Sequence, residues 1–185
     1  MTMEADTETG AGAGTGTSTT VDTEPSGRLD PLLRPTREVL LFRRAGRRPS
    51  RWRRRRVPPA GPASWLRAEA DGQALRLGRR TPGTEHVLLA VLAAYEVSLR
   101  EPELVDDEDA AGGALLAGLG LAYARAYAEL DADRVALPAD PRSVEAYLSE
   151  VSAGQGTGPL VRTLLAEDTR ARRLAEALGP VGPGA

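Results

Sequence analysis

An internal duplication of a helix-entry pattern limits what this chain can fold into more than any other feature. The decamer Gly83-Thr84-Glu85-His86-Val87-Leu88-Leu89-Ala90-Val91-Leu92 has a degraded counterpart in Gly156-Thr157-Gly158-Pro159-Leu160-Val161-Arg162-Thr163-Leu164-Leu165, which begins 73 residues later. Each copy follows a helical pattern and precedes an apolar run that closes in Leu-Gly, at Leu119-Gly120 and at Leu178-Gly179. A repeated helical unit in an all-α chain is therefore predicted.

Apolar spacing sets the helices. Trp65, Leu66, Ala70, Ala74 and Leu77 recur at helical intervals and predict a first helix over 63–77, stopped by Gly78. Thr84 suits an N-cap and Glu85 a first turn, where the helix dipole favours negative charge. The second helix is apolar on all sides and so central and buried. Further helices are predicted over 114–119, 121–130, 141–151 (from the Asp140-Pro141 signature) and 159–165, with a seventh capped by Asp168. From the decamer glycine to the Leu-Gly glycine is 37 positions in the first unit and 23 in the second. The excess is read as an acidic surface insertion near 98–109, and the second unit, which has no match for 121–130, as truncated. With aromatics at 4% of the chain, the core must be alanine, leucine and valine.

The segment Ala74-Leu75-Arg76-Leu77-Gly78, followed by Gly83-Thr84-Glu85-His86 and an aliphatic helix, resembles the double Clp repeat of the amino-terminal domain of Clp-family unfoldases. The resemblance spans roughly 63–179 and implies a pseudo-twofold double Clp repeat of about seven helices, the second repeat truncated. It implies a non-catalytic docking module that receives adaptors, tagged substrates and peptides, here without the AAA+ ATPase rings. In the ClpC-type branch the glutamate of Gly-Thr-Glu-His grips the guanidinium of phosphorylated arginine, which makes Thr84 and Glu85 candidate binding residues, with Arg79 and Arg80 as sources of phosphate charge. The matching glutamate of the second copy is Gly158, and a phosphate-contacting threonine of the family falls on Ala60. Alternatively, Thr84, Glu85 and His86 form a capping cluster that only orders the loop before the helix.

Several chemistries are excluded by residue type. No cysteine occurs, so disulfides and thiolate metal sites are absent. All 24 basic residues are arginine, which removes the lysine of a nucleotide phosphate loop and any Schiff base. His86, the single histidine, has no identifiable nucleophile as partner and is assigned a role in the fold. Neither an enzyme, a metal nor a cofactor is expected.

The net charge of −2 hides an asymmetry. Residues 28–57 hold 12 arginines against Asp30 and Glu38, whereas 58–185 hold 12 arginines against 19 acids. Residues 1–27 are expected to be a disordered Thr/Gly/Ala-rich acidic tail, 28–61 an Arg-rich linker or arm, and 62–182 the Clp-like helical repeat domain. Within the arm, Arg51, Trp52, Arg53, Arg54, Arg55 and Arg56 offer guanidiniums for phosphates and an indole for stacking, which opens a nucleic-acid reading. A solvated linker, or a segment folded against the acidic body of its own chain, remain the other options. The run Val39-Leu40-Leu41-Phe42 is too short for a signal-peptide core or a membrane span, and a cytoplasmic location is expected. The functional expectation is an adaptor, regulator or decoy that binds a Clp ATPase, its adaptors or its clients. Its alternatives are a nucleic-acid-associated protein and a scaffold that has lost its ligand site.

Overall fold

Alanine- and leucine-rich segments separated by glycine stops fold into eight α-helices, with no strand, among the residues that the computed structural model describes: 30–44, 63–151 and 155–179. In chain order these are α1 (Arg34–Arg44), α2 (Ser64–Arg76), α3 (Thr84–Ser98), α4 (Asp107–Gly118), α5 (Tyr123–Asp131), α6 (Val144–Ser149), α7 (Thr157–Ala166) and α8 (Arg170–Leu178). The described residues are all-helical, as the sequence predicts.

The apolar circumference of α3 decides the architecture. Every residue from Val87 to Ala94 is buried, so α3 has no solvent face and must be covered on all sides. It is wrapped by α1, α2, α4, α5 and α8, and α7 closes the far side of α4. Small side chains let these helices approach closely. A Cβ at Gly112 of α4 would lie 2.6 Å from Thr157 Oγ1 and 2.8 Å from the Thr157 carbonyl oxygen, so only glycine fits between α4 and α7. The Gly112 N–H uses that proximity to donate to Thr157 Oγ1 at 2.9 Å.

The basic segment departs from its expectation. The sequence places an arm or linker over 28–61, but residues 30–44 pack into the body. Asp30 caps a 3₁₀ turn (Pro31–Leu33) through the Leu32 N–H at 2.9 Å, and α1 then buries Thr36 and Leu40 beside Leu33. This face has helical spacing, but the arginines between its apolar positions hide the pattern. Those arginines meet acids of the body: Arg37 pairs with Glu101 at 2.5 Å, and Arg43 with Asp109 at 2.5 Å and Asp106 at 3.1 Å. The Arg43 guanidinium also lies over the Trp65 ring, 5.5 Å from its centroid. The third option for the basic run, folding against the acidic body, therefore describes its first part. Residues 1–29 and 45–62 lie outside the described residues, and with them Ala60, Arg51, Trp52, Arg53, Arg54, Arg55 and Arg56.

The stretch near 98–109 is also less of an insertion than expected. Leu104 and Val105 are buried, and Asp107, Glu108 and Asp109 form the first turn of α4, where their charge complements the helix dipole. Two caps differ as well. Ser143, not Asp140, caps α6 through the Ala146 N–H, and Thr169, not Asp168, caps α8 by accepting from the Arg172 N–H at 3.0 Å. Slips of three positions and of one follow when several nearby residues can all cap a helix start.

Gly112→Ala should lower stability by about 1–3 kcal/mol, because backbone atoms of Thr157 cannot yield to the new methyl. Chemical denaturation of the two proteins would measure it, and an unchanged midpoint would contradict the packing described.

Candidate functional site

The loop that enters α3 opens on a cleft of about 690 Å³. Leu77, Leu130, Val135 and Leu137 give it apolar walls. Its charged lining is Arg79, Arg80, Arg134 and Arg170 against Glu85 and Asp133, so positive charge is in excess. Three of the four residues that the sequence nominates, Arg79, Arg80 and Glu85, thus come together at one place. The fourth, Thr84, sits beside the cleft but is fully buried.

Thr84 acts as a tie between chain segments. Gly83 occupies the N-cap position, and Thr84 is the first residue of α3. Its hydroxyl donates to Asp140 Oδ1 at 2.6 Å and accepts from the Ala171 N–H of α8 at 2.9 Å, while its own N–H donates to Asp140 Oδ2 at 3.0 Å. Asp140 Oδ1 also accepts from the Arg170 N–H at 2.9 Å. One carboxylate therefore serves exposed backbone donors at the starts of both α3 and α8, which brings Arg170 to the cleft.

Glu85 is 3% exposed. Its Oε1 accepts from the Arg170 guanidinium at 3.1 Å, and that guanidinium also donates to the Pro138 carbonyl at 2.8 Å. Its Oε2 is buried without a partner among the described residues and folds back over Gly83, where a Cβ would lie 2.2 Å from it. Burial by itself raises the Glu85 carboxyl. The close contacts with His86, its own backbone N–H and Arg170 outweigh that, and the carboxyl is held below the ordinary range.

His86 is 2% exposed and lines the cleft. Its Nδ1 accepts from the Gly83 N–H at 3.0 Å. The same nitrogen lies 3.1 Å from Glu85 Oε1, so Nδ1 faces both a backbone donor and a carboxylate. Of the rim arginines, Arg79 pairs with the exposed Asp133 at 2.8 Å and Arg134 with Glu129 at 2.8 Å, whereas Arg80 has no hydrogen bond or ion pair among the described residues.

Sequence reasoning misses Arg134, Asp133, Asp140 and Arg170. The first two reach the cleft because Asp133, with φ of 52°, turns the chain out of α5. Asp140 and Arg170 act across 56 and 85 positions, a separation that no local pattern announces. His86 orders the loop as the sequence assigns it, through the Gly83 N–H. Among the described residues no cluster of three metal-ligating side chains is present, and no helix is long and apolar enough to cross a membrane. Compared with protein-family models, curated proteins and solved structures, the chain matches none.

Two outcomes test this site's construction. Thr84→Val leaves the Ala171 N–H and Asp140 without their shared hydroxyl and should cost about 1–3 kcal/mol of stability, seen as a lowered melting temperature. A carboxyl whose pKa is lowered by folding stabilises above its unfolded pKa and loses that contribution as the pH falls through its folded value. The denaturation midpoint of the wild type should therefore fall more steeply below about pH 4 than that of Glu85→Gln; parallel curves would show that Glu85 is not held ionised.

Proposed function

We propose that this chain is a non-catalytic protein- and peptide-docking module of the Clp amino-terminal type, acting in the cytoplasm as an adaptor, regulator or decoy of a Clp machine. The observation that carries this reading is a reciprocal pair of hydrogen bonds. Thr84 and Thr157 are the matching residues of the two decamers and the first residues of α3 and α7. The Thr84 hydroxyl accepts a backbone N–H from α8, the helix after α7. The Thr157 hydroxyl accepts a backbone N–H from α4, the helix after α3. Each unit thus holds the third helix of the other, as expected if α2–α5 and α6–α8 are two copies, the latter lacking its last helix, placed about a local twofold axis.

In this reading the cleft before α3 is the docking site. Its mixture of apolar wall and charged rim suits a short peptide segment, and its volume lies in the range of ligand-binding clefts. Arg79 and Arg80 are its exposed contact groups; Thr84 and Glu85 build its frame. The nucleic-acid reading concerns residues 51–56, which lie outside the described residues.

The full chain, immobilised, would be offered a peptide array with phosphorylated (phosphoarginine included), acidic, basic and neutral members, alongside a purified Clp-type ATPase ring. Retention of a peptide class or of the ring, weakened about tenfold or more when Arg79 and Arg80 are both changed to alanine, is the expected result. Retention of none of these probes, or equal retention by the double variant, would overturn the assignment.

A further inference from the structure

Beyond its first turn, α4 turns an uncharged face outward. Its exposed residues there are Ala111, Ala114, Leu115 and Gly118, and Leu119 behind them is 47% exposed. These positions recur every three or four residues and so lie along one side of the helix. No charged residue occurs between Asp109 and Arg125. A solvated helix face carries charge, as α8 does with Arg172, Arg173 and Glu176. Gly118 is a second anomaly. A Cβ at Gly112 or Gly113 would strike Thr157 or Tyr95, whereas one at Gly118 would meet nothing within 4 Å. Glycine weakens a helix, and no contact among the described residues asks for it at 118. The two ends of the face carry opposite charge. Asp107 and Glu108 are exposed at its start, and the exposed Arg125 stands just beyond its end, none of the three with an ion pair among the described residues.

We propose that α4 is the contact through which two copies of this chain pair, antiparallel, about a twofold axis passing close to Ala117. That axis sets Leu115 of one copy against the partner's Leu119, lets the two backbones close over Gly118, and brings Asp107 and Glu108 beside the partner's Arg125. Parallel pairing would set acids against acids, so charge selects the antiparallel arrangement, in which the helix dipoles also oppose. The face thus complements itself, as a twofold contact requires. Segments outside the described residues lack an equivalent apolar face: 45–62 is dominated by arginine and proline, and 1–29 by threonine, glycine, alanine and acids. A single helix face removes less area than the roughly 1,200–2,000 Å² of stable complexes, so the pair is weak, with a dissociation constant on the order of 100 μM. This inference is separate from the docking reading, and either stands without the other.

Sedimentation equilibrium of the full chain, at low salt and from about 10 μM to about 1 mM, should show the average mass rising from 19.6 kDa towards twice that value. Gly118→Arg enters open space and favours the helix, so circular dichroism should find it folded with an unchanged or higher melting temperature. Its pairing should nevertheless be weaker by about tenfold or more. Charge gives the sharper readout. Arg125→Glu and Glu108→Arg should each pair several-fold more weakly than the wild type, because like charges then meet at both ends of the contact. Mixed in equal amounts, the two variants regain opposite charges at both ends and should recover pairing. A wild type that stays monomeric to about 1 mM, leaving the face to another protein, overturns the proposal. So does Gly118→Arg sedimenting as the wild type does, a failure of the charge variants to recover on mixing, or assembly past two copies.

Discussion

A helix with no solvent face cannot leave its first N–H groups to water, and the body of this protein is organised around meeting that demand for α3. The Thr84 N–H is satisfied by Asp140 and the Gly83 N–H by His86, one from a distant loop and one from within the turn. Because Asp140 also accepts from the Arg170 N–H, the same carboxylate fixes the start of α8. The cleft exists because these two helix starts are held side by side. Its floor is the Glu85-His86 turn, and its charged edge follows from where α8 begins.

A second polar centre does for α1 and α2 what Asp140 does for α3 and α8. Glu69 is 1% exposed and accepts from Thr36 Oγ1 at 2.7 Å, Gln73 Nε2 at 2.9 Å and Arg76 at 2.7 Å. A buried carboxylate is tolerable only with such a complement of donors. Gln73 extends the network, accepting from the Tyr123 hydroxyl of α5 at 3.1 Å. In a core mostly of alanine, leucine and valine, joined by Trp65, Tyr123 and Tyr147, these hydrogen bonds define which helix faces meet.

What the sequence disclosed, and what it hid, divides along the range of the interactions. The helices from α2 to α8 are legible from their apolar residues, α3 because these run all the way round, but α4 only in its second half because its buried face is Asp109, Gly112, Gly113 and Leu116. Helix α1 is hidden because the pattern of Leu33, Thr36 and Leu40 is interrupted by arginines whose partners, Glu101, Asp106 and Asp109, lie far along the chain. Composition revealed a basic stretch and an acidic one; only folding shows that part of each neutralises the other. Of the candidate site, the Arg79, Arg80 and Glu85 component is local and was accessible. Arg170 comes from α8 and Arg134 from the loop after α5, and their addition converts a carboxylate centre into a cleft with surplus positive charge.

The two decamers meet opposite fates, and the difference lies in the helix laid across each entry. Over Thr157 and Gly158 runs α4, whose Gly112 approaches so closely that Thr157 is sealed and Gly158 is buried near the Ala111 methyl, at 3.7 Å from where a Cβ would stand. A glutamate side chain at 158 would have to be accommodated under that helix. Over Thr84 and Glu85 runs α8, which begins rather than passes there. Its first residue is an arginine long enough to reach Glu85 while leaving the volume above His86 open. A helix start leaves room at an entry where a helix middle fills it, so the first decamer opens on about 690 Å³ and the second on only about 40 Å³.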